Sequence, residues 1–211
     1  LENFRDRGGR LSLPTFFNAS RGNSEYMTMT DAIFISGERQ PKQSWKDYVR
    51  QESTTIFHEL THATQARRLG TPDVFHNAAY ENEAEAYIRQ AVYLYERWKR
   101  DPRADDGDSR MTIEIEMFAE NGLDAYVSMM LGQYGEVGHL PPEHPYYAWY
   151  AEFKAGAYPR MSVESLLMAG DRYRLHHNHA SPHMALKVYT KVLARARHYA
   201  LPEFEGTALE R

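Results

Sequence analysis

No cysteine occurs anywhere in the 211 residues, which removes disulfides, thiolate metal sites and cysteine nucleophiles together. A thiol-free chain suits a reducing compartment, and equally a secreted bacterial protein that avoids thiols. Long apolar runs are missing as well. Nothing approaches the roughly 18 consecutive apolar residues of a membrane span, and no charged-then-apolar leading segment resembles a secretory signal. Positive charge is not in excess either: the net charge is −4 and the basic residues are dispersed, so the electrostatic footprint of a nucleic-acid binder is absent. The nearest approach to one is "KVYTKVLARARHYA". There Lys187, Lys191 and Arg195 recur at helical spacing opposite Val188, Val192 and Leu193, which reads as the solvated face of an amphipathic helix.

What remains is ordinary in bulk, with 42% hydrophobic and 26% charged residues. The length suffices for a single domain over residues 1–211, organised as two lobes around a cleft and large enough to need no staples. The chain begins with leucine rather than methionine. The expectation is therefore a processed product or part of a larger polypeptide, soluble, and either cytoplasmic or secreted as an effector domain.

Period and punctuation give a coarse map. The first 25 residues carry little period, with "RLSLP" a short-strand candidate, and "YMTMTDAIFIS" at 26–36 reads as one strand or a hairpin. Ser44 is an acceptable N-cap, with Asp47 at the third helical position, so a long helix is expected from about Trp45 to Leu69, where "LGTP" stops it. A second helix is expected over about Ala79–Arg100, because Ala84, Ile88, Ala91, Val92, Tyr95 and Trp98 fall three and four apart. "DPRADDGDS" is the best linker and divides a lobe of 1–100 from a helical lobe of 111–211. Helix is expected for most of 111–133, despite the alternation of "MTIEIEMF", and three more helices near 145–155, 161–174 and 182–200.

Inside the first long helix stands His58-Glu59-Leu60-Thr61-His62, an HExxH sequence. On a helix, residues i and i+4 project from one face, so both imidazoles reach a single ion, while Glu59 is turned by about 100° toward the adjoining space. Two neutral nitrogen donors and a carboxylate able to take a proton from a metal-bound water are what a hydrolytic zinc site requires. The plain alternative is an ordinary helix whose histidines are core or cap groups.

"IFHELTHATQ" followed by "YENEAEAYIRQA" resembles the gluzincin, thermolysin-like branch of zinc metallopeptidases, over about residues 26–100. The resemblance implies a predominantly helical α+β zincin-like fold: a small N-terminal sheet, the HExxH helix, a third-ligand helix and a C-terminal helical lobe. It also implies that a glutamate on the next long helix completes a Zn2+ site with His58 and His62. Three glutamates compete, Glu81, Glu83 and Glu85. The E-x-x-A-[D/N] pattern of related branches falls on Glu81-Asn82-Glu83-Ala84-Glu85, making Glu81 the expected ligand and Glu85 the expected partner that orients His58. Glu81 and Glu85 lie one turn apart, whereas Glu83 is about 200° around the helix from Glu81 and is expected to point away. The departure from the family pattern, glutamate for Asp or Asn at position 85, leaves Glu85 open as ligand with Glu81 nearby, and Glu83 as a third choice.

The mechanism implied is peptide-bond hydrolysis by a metal-activated water, with Glu59 as general base. The resemblance further implies an edge strand pairing with substrate, for which "AIFIS" at 32–36 is placed, and an oxyanion-stabilising group from a later element. The histidine-rich "YRLHHNHASPH" offers His176 and His177 for that role, along with Tyr173, His179 and His183. Tyr87 is a lesser candidate. Expected partners are a protein or peptide substrate, with no nucleic acid and no membrane span. The alternatives are a zinc amidase acting on cell-wall peptide, a toxic effector domain, and a non-catalytic metal-binding interaction domain.

Overall fold

A computed structural model describes residues 14–19, 24–27, 31–36, 41–69, 79–101, 109–132, 134, 137–175 and 181–211. The fold is predominantly helical with one small sheet, an α+β arrangement. Strands β1 (Thr15–Ala19), β2 (Glu25–Met27) and β3 (Ala32–Ser36) lie in the order β1-β3-β2. β1 runs parallel to β3 in the register Thr15 to Ala32, and β2 pairs antiparallel with β3, Tyr26 opposite Ile33. "AIFIS" is therefore the central strand. Both its edges are taken by neighbouring strands, which corrects the expectation of a substrate-pairing edge there; among the described residues β2 is an edge beside the HExxH helix. β1 lies where the sequence showed little period, because a parallel partner far along the chain leaves no local turn signal.

The helices follow as α1 (Trp45–Gln51), α2 (Ser53–Leu69), α3 (Tyr80–Arg100), α4 (Ser109–Glu120), α5 (Leu123–Leu131), α6 (Pro145–Ala155), α7 (Ala157–Leu175), α8 (Ser181–His198) and α9 (Pro202–Leu209). Ser44 caps α1 as expected, its hydroxyl accepting from the Asp47 N–H at 3.1 Å. The expected single helix 45–69 is interrupted at Glu52. The reason is local: Ser53 Oγ donates to the Arg50 carbonyl at 2.8 Å, competing with the backbone, and Ser53, Thr54 and Thr55 are weak helix formers. Likewise α4 and α5 split where Gly122 takes a φ of 85°, open to glycine but costly for other residues. α9 was not anticipated, its eight residues being too short to show a convincing period.

Two compact units emerge. The first comprises residues 1–93 and 133–141, the second 94–132 and 142–211, so α3 belongs to the first through Tyr93 and to the second from Leu94. The first unit packs Ile33, Ile35 and Tyr48 with Tyr26, Ile56 and Leu60, joining sheet, α1 and α2. Its hairpin is tied to α2 through Asp31, which sits at φ 46°. That carboxylate accepts from Arg67 Nη2 at 2.6 Å and from the Tyr26 hydroxyl at 2.8 Å. The segment 137–141, read from sequence as part of the helical lobe, returns to the first unit: the Tyr80 N–H bonds to the Gly138 carbonyl at 2.9 Å, and Ala79 bridges Gly138 in parallel.

The second unit is an all-helical packing around Trp98, Phe118, Tyr126, Tyr158 and Leu166, all fully buried. Tyr126 and Tyr158 meet the Phe118 ring edge-on, and the Tyr158 hydroxyl donates to the Phe118 carbonyl at 2.8 Å. α7 and α8 approach so closely that a Cβ at Gly170 would stand 2.5 Å from the Tyr189 ring. On α8, Val188 and Val192 are buried, as expected. Lys191 and Arg195 are more than a solvated face: Lys191 pairs with the Glu120 carboxylate and Arg195 donates to the Glu120 carbonyl, supplying cations to the C-terminal end of α4. Among the described residues no helix is long and apolar enough to cross a membrane.

Candidate metal centre

The HExxH segment lies in mid-α2, and the period of the helix brings His58 and His62 to one face, both buried. Their Nε2 atoms stand 3.1 Å apart. Glu83 approaches both rings, with Oε2 at 3.5 Å from His58 Nε2 and Oε1 at 3.4 Å from His62 Nε2. These three donors form the one group suited to a metal ion among the described residues, their ligand atoms all within 4.8 Å of one another. Ligands at about 2.0–2.1 Å from a tetrahedral cation stand about 3.3 Å apart, so the spacing fits.

The protonation of the two rings is set from behind. His58 Nδ1 meets Gln90 Oε1 at 3.1 Å and His62 Nδ1 meets Gln65 Oε1 at 2.9 Å. An amide oxygen only accepts, so each Nδ1 carries a hydrogen, and a ring that carries no second proton turns a lone pair inward from Nε2. Two lone pairs and a carboxylate thus converge, and Glu83 Oε2 is buried with no hydrogen-bond partner. Such a cluster calls for a cation or a proton among its members. The electrostatics agree. Where protons rather than a cation balance the cluster, burial works to raise the Glu83 pKa, but hydrogen bonding and charge from the protonated His58 and His62 rings hold it well below the usual carboxylate range. Burial works to lower that of His62, yet Glu83 and Glu59 raise it.

Glu59 projects beside this group and is 5% exposed. Burial pushes its pKa up, against the pull of His62 and His58, and its carboxylate accepts from the Tyr26 backbone N–H of β2. Two phenols complete the wall. The Tyr87 ring packs edge-on against His58 at 4.6 Å between centroids, and its hydroxyl meets the Tyr134 hydroxyl at 3.0 Å. Burial, the Tyr87 hydroxyl and the charge of Glu83 all raise the Tyr134 pKa, which keeps it a protonated donor.

Glu81 and Glu83 exchange their expected places. Glu81 is buried but turned away from the histidines, accepting from the Leu140 N–H at 2.8 Å and from His139 Nδ1 at 2.9 Å. Glu85 does not contact His58. It is held by Arg68 Nη2 at 2.8 Å, Arg89 Nε at 2.7 Å and Gln65 Nε2 at 3.0 Å, and reaches His62 only through Gln65. The expectation failed because it assumed one inward face. From Glu81 to Ile88 every α3 residue except Glu83 is buried, and Glu83 is half-buried, so several faces look inward. The stripe meeting His58 is Glu83, Tyr87 and Gln90, spaced four and three, and all three touch its ring. That spacing was present in the sequence as a signal. Tyr134 and Gln65 had none.

His176, His177 and His179, the expected oxyanion group, lie outside the described residues. His183 is exposed on α8, and Tyr173 is hydrogen-bonded to Glu116, with burial and that bond pushing its pKa up to about 12. No family model matches the chain, and neither a curated protein nor a solved structure matches it.

Proposed function

We propose that the chain is a zinc-dependent metallopeptidase of zincin type, with His58, His62 and Glu83 as ligands and Glu59 as general base. The observation that carries this reading is the convergence of two imidazole nitrogens and an unsatisfied buried carboxylate oxygen on one point beside Glu59. Zinc in such a site supplies Lewis acidity and an acidified water. The chain's own residues supply the rest. Glu59, held by the Tyr26 N–H, is placed to accept a proton and hand it to a leaving amine. Tyr134, kept protonated, can donate to an oxygen that gains charge, the role expected at His176 and His177. β3 is central, so an extended peptide would pair with an edge strand, β1 or β2, and at β2 it would meet a Tyr26 N–H already bonded to Glu59.

A second reading keeps the metal without catalysis. The bond from the Tyr26 N–H to Glu59 favours it, because a carboxylate engaged by backbone also serves as a structural tie. Zinc stoichiometry and hydrolysis of a peptide library separate the two. The enzyme reading expects one equivalent of zinc, lost in Glu83→Ala by more than about a hundredfold in affinity and retained in Glu81→Ala. It also expects Glu59→Gln to keep zinc while hydrolysis falls by about 10²–10⁴-fold. Full activity in Glu59→Gln removes Glu59 as the general base, no hydrolysis by the zinc-bound wild type supports the second reading, and no zinc at all sinks both.

A further inference from the structure

Both ring nitrogens facing away from the metal point meet neutral carboxamides rather than carboxylates, and one of those carboxamides is held in a single orientation. Gln65 is 1% exposed and lies between α2 and α3. Its Nε2 donates to the Asn82 carbonyl at 2.9 Å and to Glu85 Oε2 at 3.0 Å. Two acceptors facing the amide nitrogen leave the amide oxygen only the other direction, onto His62 Nδ1 at 2.9 Å. Glu85 is fixed in turn: Arg68 Nη2 donates to both its oxygens, at 2.9 and 2.8 Å, and Arg89 Nε donates to Oε1 at 2.7 Å. The Arg68 and Arg89 side chains are 43% and 40% exposed while that of Glu85 is 4% exposed, so an unbroken hydrogen-bonded path runs from the surface to a proposed ligand.

We propose that Gln65 is a positioning residue that locks His62 in its Nδ1–H form, and that Glu85, anchored by Arg68 and Arg89, acts on the metal-facing nitrogen of His62 through that amide. The inference rests on the metal-centre reading for its meaning, but the lock itself is a property of the metal-free protein. Glu85→Gln puts an NH2 where donors already converge. Either the new amide opposes Gln65 and the arginines, or Gln65 turns over and offers its own NH2 to His62 Nδ1. In the second case the His62 hydrogen moves to Nε2, the nitrogen a metal needs bare.

The test is imidazole 15N spectroscopy on the metal-free protein at alkaline pH, where the ring is neutral, together with Zn2+ titration of the same variants. In the wild type His62 is expected wholly as the Nδ1–H form. Glu85→Gln is expected to bring in the Nε2–H form and to weaken Zn2+ binding by about 10–100-fold. Gln65→Leu, which fills the space without polar atoms, is expected to release the lock too. In that background Glu85→Gln is expected to add nothing further, the mark of two residues acting in series. The proposal is overturned if Gln65→Leu leaves His62 wholly Nδ1–H with Zn2+ affinity unchanged, or if the two substitutions weaken binding additively. A wild type that binds no Zn2+ removes the metal centre, yet the 15N spectra still decide the lock. Should Glu85→Gln not fold, Gln65→Leu decides alone.

Discussion

The two units of the chain are built on opposite rules. Of the eleven buried polar or charged side chains among the described residues, nine belong to the first unit, and the other two are the serines Ser162 and Ser165 of the second. The second unit hides Trp98, Phe118, Tyr126 and Tyr158 around apolar neighbours, an interior that lowers free energy simply by leaving water. The first unit hides His58, Glu59, His62, Gln65, Glu81 and Glu85, each of which costs free energy to bury unless partnered. Nearly all those partners are in place except at one spot, Glu83 Oε2 beside the two histidines. Buried polar atoms without a hydrogen bond occur in the second unit as well, on Trp98, Glu116 and Ser165. Among the described residues only Glu83 Oε2 stands in a group of donors able to hold a metal ion, and that donor set marks the first unit as the one arranged for a ligand.

Phe118→Ala strikes the second rule hardest. It deletes a fully buried ring and two edge-on partners and is expected to cost about 3–5 kcal/mol in urea unfolding. Zn2+ affinity of the protein that remains folded is expected to hold; an equal loss in both measurements would erase the division between units.

Glu81→Ala tests the first rule away from the histidines. It strips the acceptor from the buried Leu140 N–H and from His139 and is expected to cost about 1–3 kcal/mol. Amide exchange at Leu140 should accelerate accordingly. Little change at Leu140 would mean that 137–141 is held by the Gly138 contacts alone.

The smallest effect is in the pH dependence. Burial works to raise the pKa of both Glu85 and Glu164, but Arg89 and Arg68 lower that of Glu85, while the Tyr95 hydroxyl and Lys99 lower that of Glu164. A lowered carboxyl contributes stability that is present above its ordinary pKa of 4.5 and lost as pH falls through the folded value, so both act on the acid limb. Glu85→Gln is expected to flatten that limb more than Glu164→Gln, since Glu85 is 4% exposed against 15% for Glu164, whose cations Lys99 and Arg160 are also the more exposed and screened. Urea midpoints taken from about pH 6 to about pH 3 read the difference. The reverse order would show that depth of burial does not separate the units.

Much of the helical layout was legible because it is local. α3, α6 and α8 lie close to where period and caps put them, and Ser44 caps α1 through a bond spanning three residues. The interruption at Glu52 went unseen, as a serine hydroxyl competing for one carbonyl leaves the period intact. The sheet was half legible: the hairpin of β2 and β3 is a neighbour contact, whereas β1 finds β3 in parallel across a longer stretch and turns the supposed edge into a centre. In the site, His58, Glu59 and His62 were readable and their companions were not. Gln65, Gln90 and Tyr134 matter only through what they face, and residue type alone does not say what a glutamine or a loop tyrosine faces.

By itself the sequence determined that two histidines share a face of a helix with a glutamate turned beside them, since four residues make about one turn whatever surrounds them. It also determined that one of three nearby acids stands at hand on the next helix. Which acid was decided by tertiary structure alone. The rotation of α3 about its own axis is set by packing against α2 on one side and 137–141 on another, and that rotation sends Glu83 to the histidines, Glu81 to Leu140 and Glu85 to the arginines.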